Sequence, residues 1–228
     1  DQGEGYTRTA PYLGGTLRDR VSLSRNGDGE RMKRETRSTV GNVELRDDGE
    51  NGQTITGYAA VFHRPGDART EYELWQGARE RIIPGAFDDA LKSDDVRALF
   101  NHDPSAVLGR KKAGTLRLSV DDIGLRYEVT PANTSTYKDV VELLKRGDVD
   151  GSSFQFRTIE DKWKREGNSE IRELRKVQLL DVGPVSFPAY EGASSGVRSD
   201  EDAQDAKRSR DEWQANVLAE REQLDRRL

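Results

Sequence analysis

Apolar and polar positions alternate in short bursts through the middle of the chain, a period of two that predicts a mainly β protein. Gly41-Asn42-Val43-Glu44-Leu45-Arg46 alternates as a first strand. Residues 53–62 form a β-branched and aromatic run, in which Gly57 marks a bulge or a close approach. Residues 80–87 read as a short strand broken at Pro84, and residues 87–92 as a short helix. Residues 96–103 alternate with the even positions apolar, which carries His102 to the rim of the core, two residues before Pro104. Residues 107–110, 114–120 and 124–130 are separated by turn chemistry and predict an antiparallel meander. Val140, Leu143 and Leu144 share one face of a helix over 136–146, with Gly147 placed to cap it. Strands over 151–165, 170–177 and 178–187 follow, with a turn at Glu166-Gly167-Asn168-Ser169.

The ends do not share this pattern. Residues 1–40 form a polar extension, expected to be flexible, with linker chemistry at Asn26-Gly27-Asp28-Gly29. Met32, the only methionine, reads as a translation start, with residues 1–31 an upstream extension. The domain itself is expected over 41–195. Beyond it, residues 196–228 form a charged tail in which Trp213, Val217, Glu220 and Leu224 recur at helical spacing.

Composition narrows the chemistry. Charged residues make up 35% of the 228 and hydrophobic ones 33%, so a small core with polar tails fits better than a core running end to end. The net charge of −5 comes from interleaved signs, which gives no nucleic-acid surface. The absence of cysteine excludes disulfides, thiolate metal sites and a cysteine nucleophile. With two histidines, His63 and His102, a histidine metal site is not expected, nor is a cofactor. No apolar run is long enough to span a bilayer, so a soluble, intracellular protein is expected.

Three polar residues lie in or beside apolar strands: His102, Ser153 and Asp181. A histidine can take the proton of a serine that attacks a carbonyl, and an acid can hold and charge-stabilise the imidazole. On residues alone, Gly151-Ser152-Ser153-Phe154 also reads as a simple turn, and its two serines are interchangeable. Backbone N–H groups near Ser153, or Arg110 or Arg157, are candidate oxyanion donors.

Several blocks together resemble the HK97-type phage prohead proteases. They are Tyr58-Ala59-Ala60-Val61-Phe62, residues 80–87, Phe100-Asn101-His102-Asp103, Val107-Leu108-Gly109-Arg110, Gly114-Thr115-Leu116-Arg117-Leu118, Gly124-Leu125-Arg126-Tyr127, residues 146–154 and residues 180–190. The resemblance runs in order from about residue 40 to 195. That family is similar in fold to the herpesvirus assemblin proteases. The resemblance therefore implies a small closed antiparallel β-barrel with a few flanking helices and polar tails. It also implies a serine endopeptidase acting in the host cytoplasm, inside the immature capsid. Its substrates would be scaffold, the N-terminal region of the major capsid protein, and the enzyme itself, and self-association is compatible with the reading. The alternative is a non-catalytic capsid assembly protein using the same domain as an interaction module. The family motif, Gly-Met-Ser-Phe-Gly-Phe, assigns the nucleophile to Ser153 and the general base to His102. Ser152 takes the methionine position, and Gln155 departs from the second glycine. Asp181 matches an acidic position and is preferred over His63 as the residue that orients the imidazole.

Overall fold

The computed structural model describes residues 34–188, except 40, 42, 50 and 51, and residues 207–215, except 213. In chain order the elements are β1 (Glu35–Thr39), β2 (Val43–Asp47), β3 (Gln53–Val61), β4 (Tyr72–Trp75), β5 (Ala78–Ile82), α1 (Asp88–Ser93), β6 (Arg97–Leu99) and β7 (Val107–Arg110). They continue with β8 (Leu116–Val120), β9 (Gly124–Val129), α2 (Ser135–Arg146), β10 (Gly151–Glu166) and β11 (Ser169–Val185). The fold is mainly β with few helices, as the alternation predicts.

The closed antiparallel barrel is not formed. The strands make two open sheets, one of four strands in the order β2-β3-β9-β8 and one of seven. The larger sheet runs β1-β10-β11-β5-β4, with β6 paired to both β11 and β7. It is also mixed, because β11 runs parallel to β5 and to β6. Closure needs the end strands of a single ladder to pair, and among the described residues the two sheets share no ladder. The expected meander is split for the same reason. β8 and β9 form a hairpin in the small sheet, whereas β7 pairs with β6 in the large one. The turn between β7 and β8 makes the switch, with Gly114 in the left-handed region at φ 74°.

The core lies between the sheets. Ile55, Ala59, Leu125, Tyr127 and Val129 meet Phe154, Phe156, Leu174, Leu179 and Val182, all fully or nearly fully buried. Helix α2 starts where the Thr134 side chain accepts from the N–H of Tyr137, and stops where Gly147 adopts φ 77°. It buries Tyr137, whose hydroxyl donates to the carbonyl of Gln53 at 2.9 Å, and so ties the helix to the small sheet. Sixteen-residue β10 and seventeen-residue β11 form one long hairpin. Two features lie outside the span expected for the domain. One is β1; the other is the helical segment near residue 209, where Ser209 accepts from the Trp163 indole at 2.8 Å and donates to Asp161 at 2.9 Å. The Met32 start, residues 1–31 and the tail positions Trp213, Val217, Glu220 and Leu224 lie outside the described residues. No helix among the described residues is long and apolar enough to cross a membrane.

Candidate active site

Strand β10 places Ser153 in the interior of the large sheet, opposite Ser38 of β1 on one side and Gly183 of β11 on the other. Gly183 is there because nothing larger fits: a Cβ at that position would lie 2.0 Å from the carbonyl oxygen of Leu99. That close approach seats the end of β6 directly on β11 and sets the height of the turn that follows. The turn is closed by backbone bonds from Asp103 to Phe100 at 3.0 Å and from Phe100 to Ala106 at 3.1 Å.

His102 belongs to this turn and not to the strand register that the alternation implies. Asn101 and His102 both have positive φ, 53° and 58°. An L-residue in that region costs about 1–2 kcal/mol, and asparagine tolerates it best. The arrangement is held from outside. The N–H of Asn101 donates to the carbonyl of Pro184 at 3.1 Å, and its side chain exchanges hydrogen bonds with Ser186, accepting from the backbone at 2.8 Å and donating to the hydroxyl at 3.1 Å.

From there the imidazole bridges two strands. His102 Nδ1 lies 2.5 Å from Asp181 Oδ1, and Nε2 lies 2.6 Å from Ser153 Oγ. A buried carboxylate accepting from Nδ1–H leaves Nε2 with its lone pair toward the serine, the tautomer needed to receive the hydroxyl proton. Ser153 Oγ also lies 2.8 Å from the carbonyl oxygen of Arg37 and 3.0 Å from Ser38 Oγ.

The two serines separate on structural grounds. The Ser152 hydroxyl pairs with the buried Tyr127 hydroxyl at 2.8 Å, whereas Ser153 faces the imidazole. His63 lies beside Thr70 and Glu71, with Nδ1 at 3.5 and 3.8 Å from their oxygens. Of the arginines considered for the oxyanion, Arg110 is engaged by Asp95 and Arg157 donates to Gln178 at 3.0 Å. Arg157 is also four residues along β10 from Ser153, about 13 Å at strand spacing.

Sequence reasoning missed β1 and the buried ionic cluster it completes. Arg37 pairs with Glu80 at 2.6 Å, and Arg172 pairs with Glu35 at 2.7 Å and with Glu80 and Asp161 at 2.9 and 2.6 Å. The alternation of Glu35-Thr36-Arg37-Ser38-Thr39 was the available signal, with its charged face turned inward.

Replacing Gly183 with alanine is expected to lift the end of β6 from β11 and displace His102. Activity of the purified variant should fall about tenfold or more, with about 1–3 kcal/mol lost in urea unfolding, the usual range for forcing a group into a packed site. Activity at the wild-type rate would show that this close approach does not set the imidazole.

A buried serine, a partly buried imidazole and a buried carboxylate in one hydrogen-bonded line, on a two-sheet mainly β domain, are the arrangement expected of a serine hydrolase. The chain belongs to the caudovirus prohead serine protease family, whose model matches residues 41–208. It is thus a serine protease of the phage prohead type. No curated protein matches the chain. Among solved structures it is similar to the bacteriophage T4 capsid assembly protease, gp21, at 12% identity and a TM-score of 0.39, over 67% of this chain and 98% of that one.

Proposed function

We propose that this protease matures the immature capsid from within, in the host cytoplasm, by cutting scaffold, the N-terminal region of the major capsid protein, and itself. Ser153 is the nucleophile, His102 the general base and Asp181 the group that orients and charge-stabilises the imidazole. The observation that carries this reading is the line Asp181–His102–Ser153, with separations of 2.5 and 2.6 Å.

In this mechanism Nε2 takes the Ser153 proton as Oγ attacks the scissile carbonyl carbon. The imidazolium then returns that proton to the departing amine, leaving an ester on Ser153. Water, deprotonated by the same nitrogen, hydrolyses the ester and restores the hydroxyl. Backbone N–H groups beside Ser153 are the oxyanion donors this reading favours, since Arg110 and Arg157 are engaged elsewhere.

Co-expression with the capsid and scaffold proteins tests the proposal. Wild type should give shortened partner bands, and Ser153→Ala should lose them, since removing such a nucleophile costs up to about 10⁶-fold in rate. Ser152→Ala should keep processing and lose about 1–3 kcal/mol of stability, because the Tyr127 hydroxyl is deprived of a partner. Identical unprocessed bands from wild type and Ser153→Ala would sink the assignment, and the reverse result for the two serines would reassign the nucleophile.

A further inference from the structure

A nucleophile must meet a peptide carbonyl, yet Ser153 is wholly buried. Among the described residues, β1 lies directly against it. This strand runs antiparallel to β10 along the edge of the large sheet, with Ser38 opposite Ser153. The carbonyl of Arg37 lies 2.8 Å from Ser153 Oγ, and the Ser38 hydroxyl donates to the same oxygen at 3.0 Å. The Ser153 hydroxyl has one proton to give, so the Arg37 carbonyl competes for it with His102 Nε2. A peptide strand added to a sheet edge, with a carbonyl against the nucleophile, is how an extended substrate would present itself.

The side chains of β1 show what such a site selects. Residues two apart on a strand share a face, so Glu35 and Arg37 point together into the protein. The Arg37 guanidinium lies over the Phe156 ring, 5.4 Å from its centroid, and its fork meets Glu80 through Nε at 2.6 Å and Nη2 at 2.9 Å. Glu35 is received by Arg172 at 2.7 and 3.2 Å and by the Thr158 hydroxyl at 2.6 Å. Without β1, what remains is a slot ending in a carboxylate over an aromatic face, beside a slot ending in a guanidinium and a hydroxyl. Glu35 and Arg37 together add no net charge to that pocket, so a strand carrying the same pair leaves its balance unchanged. A planar fork fits the first slot where a lysine ammonium would forgo the paired bonds.

We propose that β1 occupies the protease's own substrate-strand site, and that this site selects peptides with arginine at the residue whose carbonyl faces Ser153 and a carboxylate two residues before it. The proposal takes the role of Ser153 from the reading above. Because β1 is tethered, it outcompetes free peptides, and the intact chain stays latent until β1 leaves.

The test is peptide binding to the full-length chain carrying Ser153→Ala, Glu35→Gln and Arg37→Gln, read by fluorescence anisotropy. A labelled peptide containing Glu-Thr-Arg-Ser-Thr should bind about tenfold or more tighter than the same peptide with glutamine replacing arginine, the loss of one paired charge contact. Replacing its glutamate with glutamine should also weaken binding. Equal affinities would overturn the proposal. Arginine-selective binding without Ser153-dependent cleavage of the capsid partners would remove the catalytic reading alone. Should the triple variant fail to fold, Ser153→Ala with native β1 serves instead. The arginine peptide in excess should speed hydrogen exchange in residues 35–39 while the glutamine peptide does not, and unchanged exchange overturns the proposal.

Discussion

Asp181→Asn should lower the rate of Ser153-dependent cleavage about 10³–10⁴-fold while leaving the fold intact, the scale set by the equivalent change in other serine proteases. The expectation follows from protons and not from packing. The amide is nearly the same size as the carboxylate, so Asp181, buried between Gln155 of β10 and Arg97 of β6, is replaced without a cavity. But an amide N–H pointed at His102 makes Nδ1 an acceptor and moves the ring proton to Nε2, where it faces Ser153 with nothing to receive the hydroxyl proton. The negative charge that stabilises the imidazolium is lost as well. His63→Gln should leave the rate unchanged, because His63 sits against Thr70 and Glu71 and not against His102. Initial rates for the purified variants on a capsid or scaffold substrate, with unfolding curves beside them, check both. Near-normal turnover by Asp181→Asn would mean another group orients the imidazole.

Most of the strands were legible because each one buries apolar residues on one face. Ile55, Tyr127 and Val129 declare their strands, and Val140 its helix, through spacing alone. β1 inverts that rule. It turns Glu35 and Arg37 inward, and a pattern that assigns charge to solvent discards it. The compensating Glu80 and Arg172 lie far along the chain, so nothing local shows that the charges will be paired. The wrong closure has a related cause. Turn chemistry identified the β8–β9 hairpin, but whether β7 stays beside β8 or joins β6 is decided by long-range pairing. At the site, the types His102, Ser153 and Asp181 could be named because polar residues in apolar strands stand out. The left-handed turn that aims His102, and the Tyr127 hydroxyl that engages Ser152, are contacts between distant segments that spacing cannot display.

The same ionic cluster carries the largest expected effect on stability. Glu80→Ala should destabilise the protein by about 3–5 kcal/mol, the usual cost of leaving buried charge without its partner. Glu80 is fully buried and accepts from both Arg37 and Arg172, so its loss opens a cavity and takes from each guanidinium one of its buried carboxylates, leaving Glu35 as the one that bridges both. Against a total stability of about 5–15 kcal/mol, that is a large share. The cluster is costly to break, not inherently strong. Replacing Glu35, Arg37, Glu80 and Arg172 together with well-packed apolar residues should change stability little or raise it, because four charges then need no removal from water. Urea midpoints of the single and quadruple variants decide this, and equal, large losses in both would show that the ion pairs themselves are net stabilising. Acid gives an independent check. Burial alone would raise the Glu35 carboxyl, but Arg172 and Arg37 hold it down at about 2, well below the usual carboxylate range. A carboxylate depressed in the folded state contributes stability that is fully present above its unfolded pKa and is lost as pH falls through its folded one. Between about pH 4.5 and 2, wild type should therefore lose stability faster than Glu35→Gln. The first segment to loosen should be β1, whose inward face depends on that charge, and hydrogen exchange in residues 35–39 measured down the same pH range reads it directly.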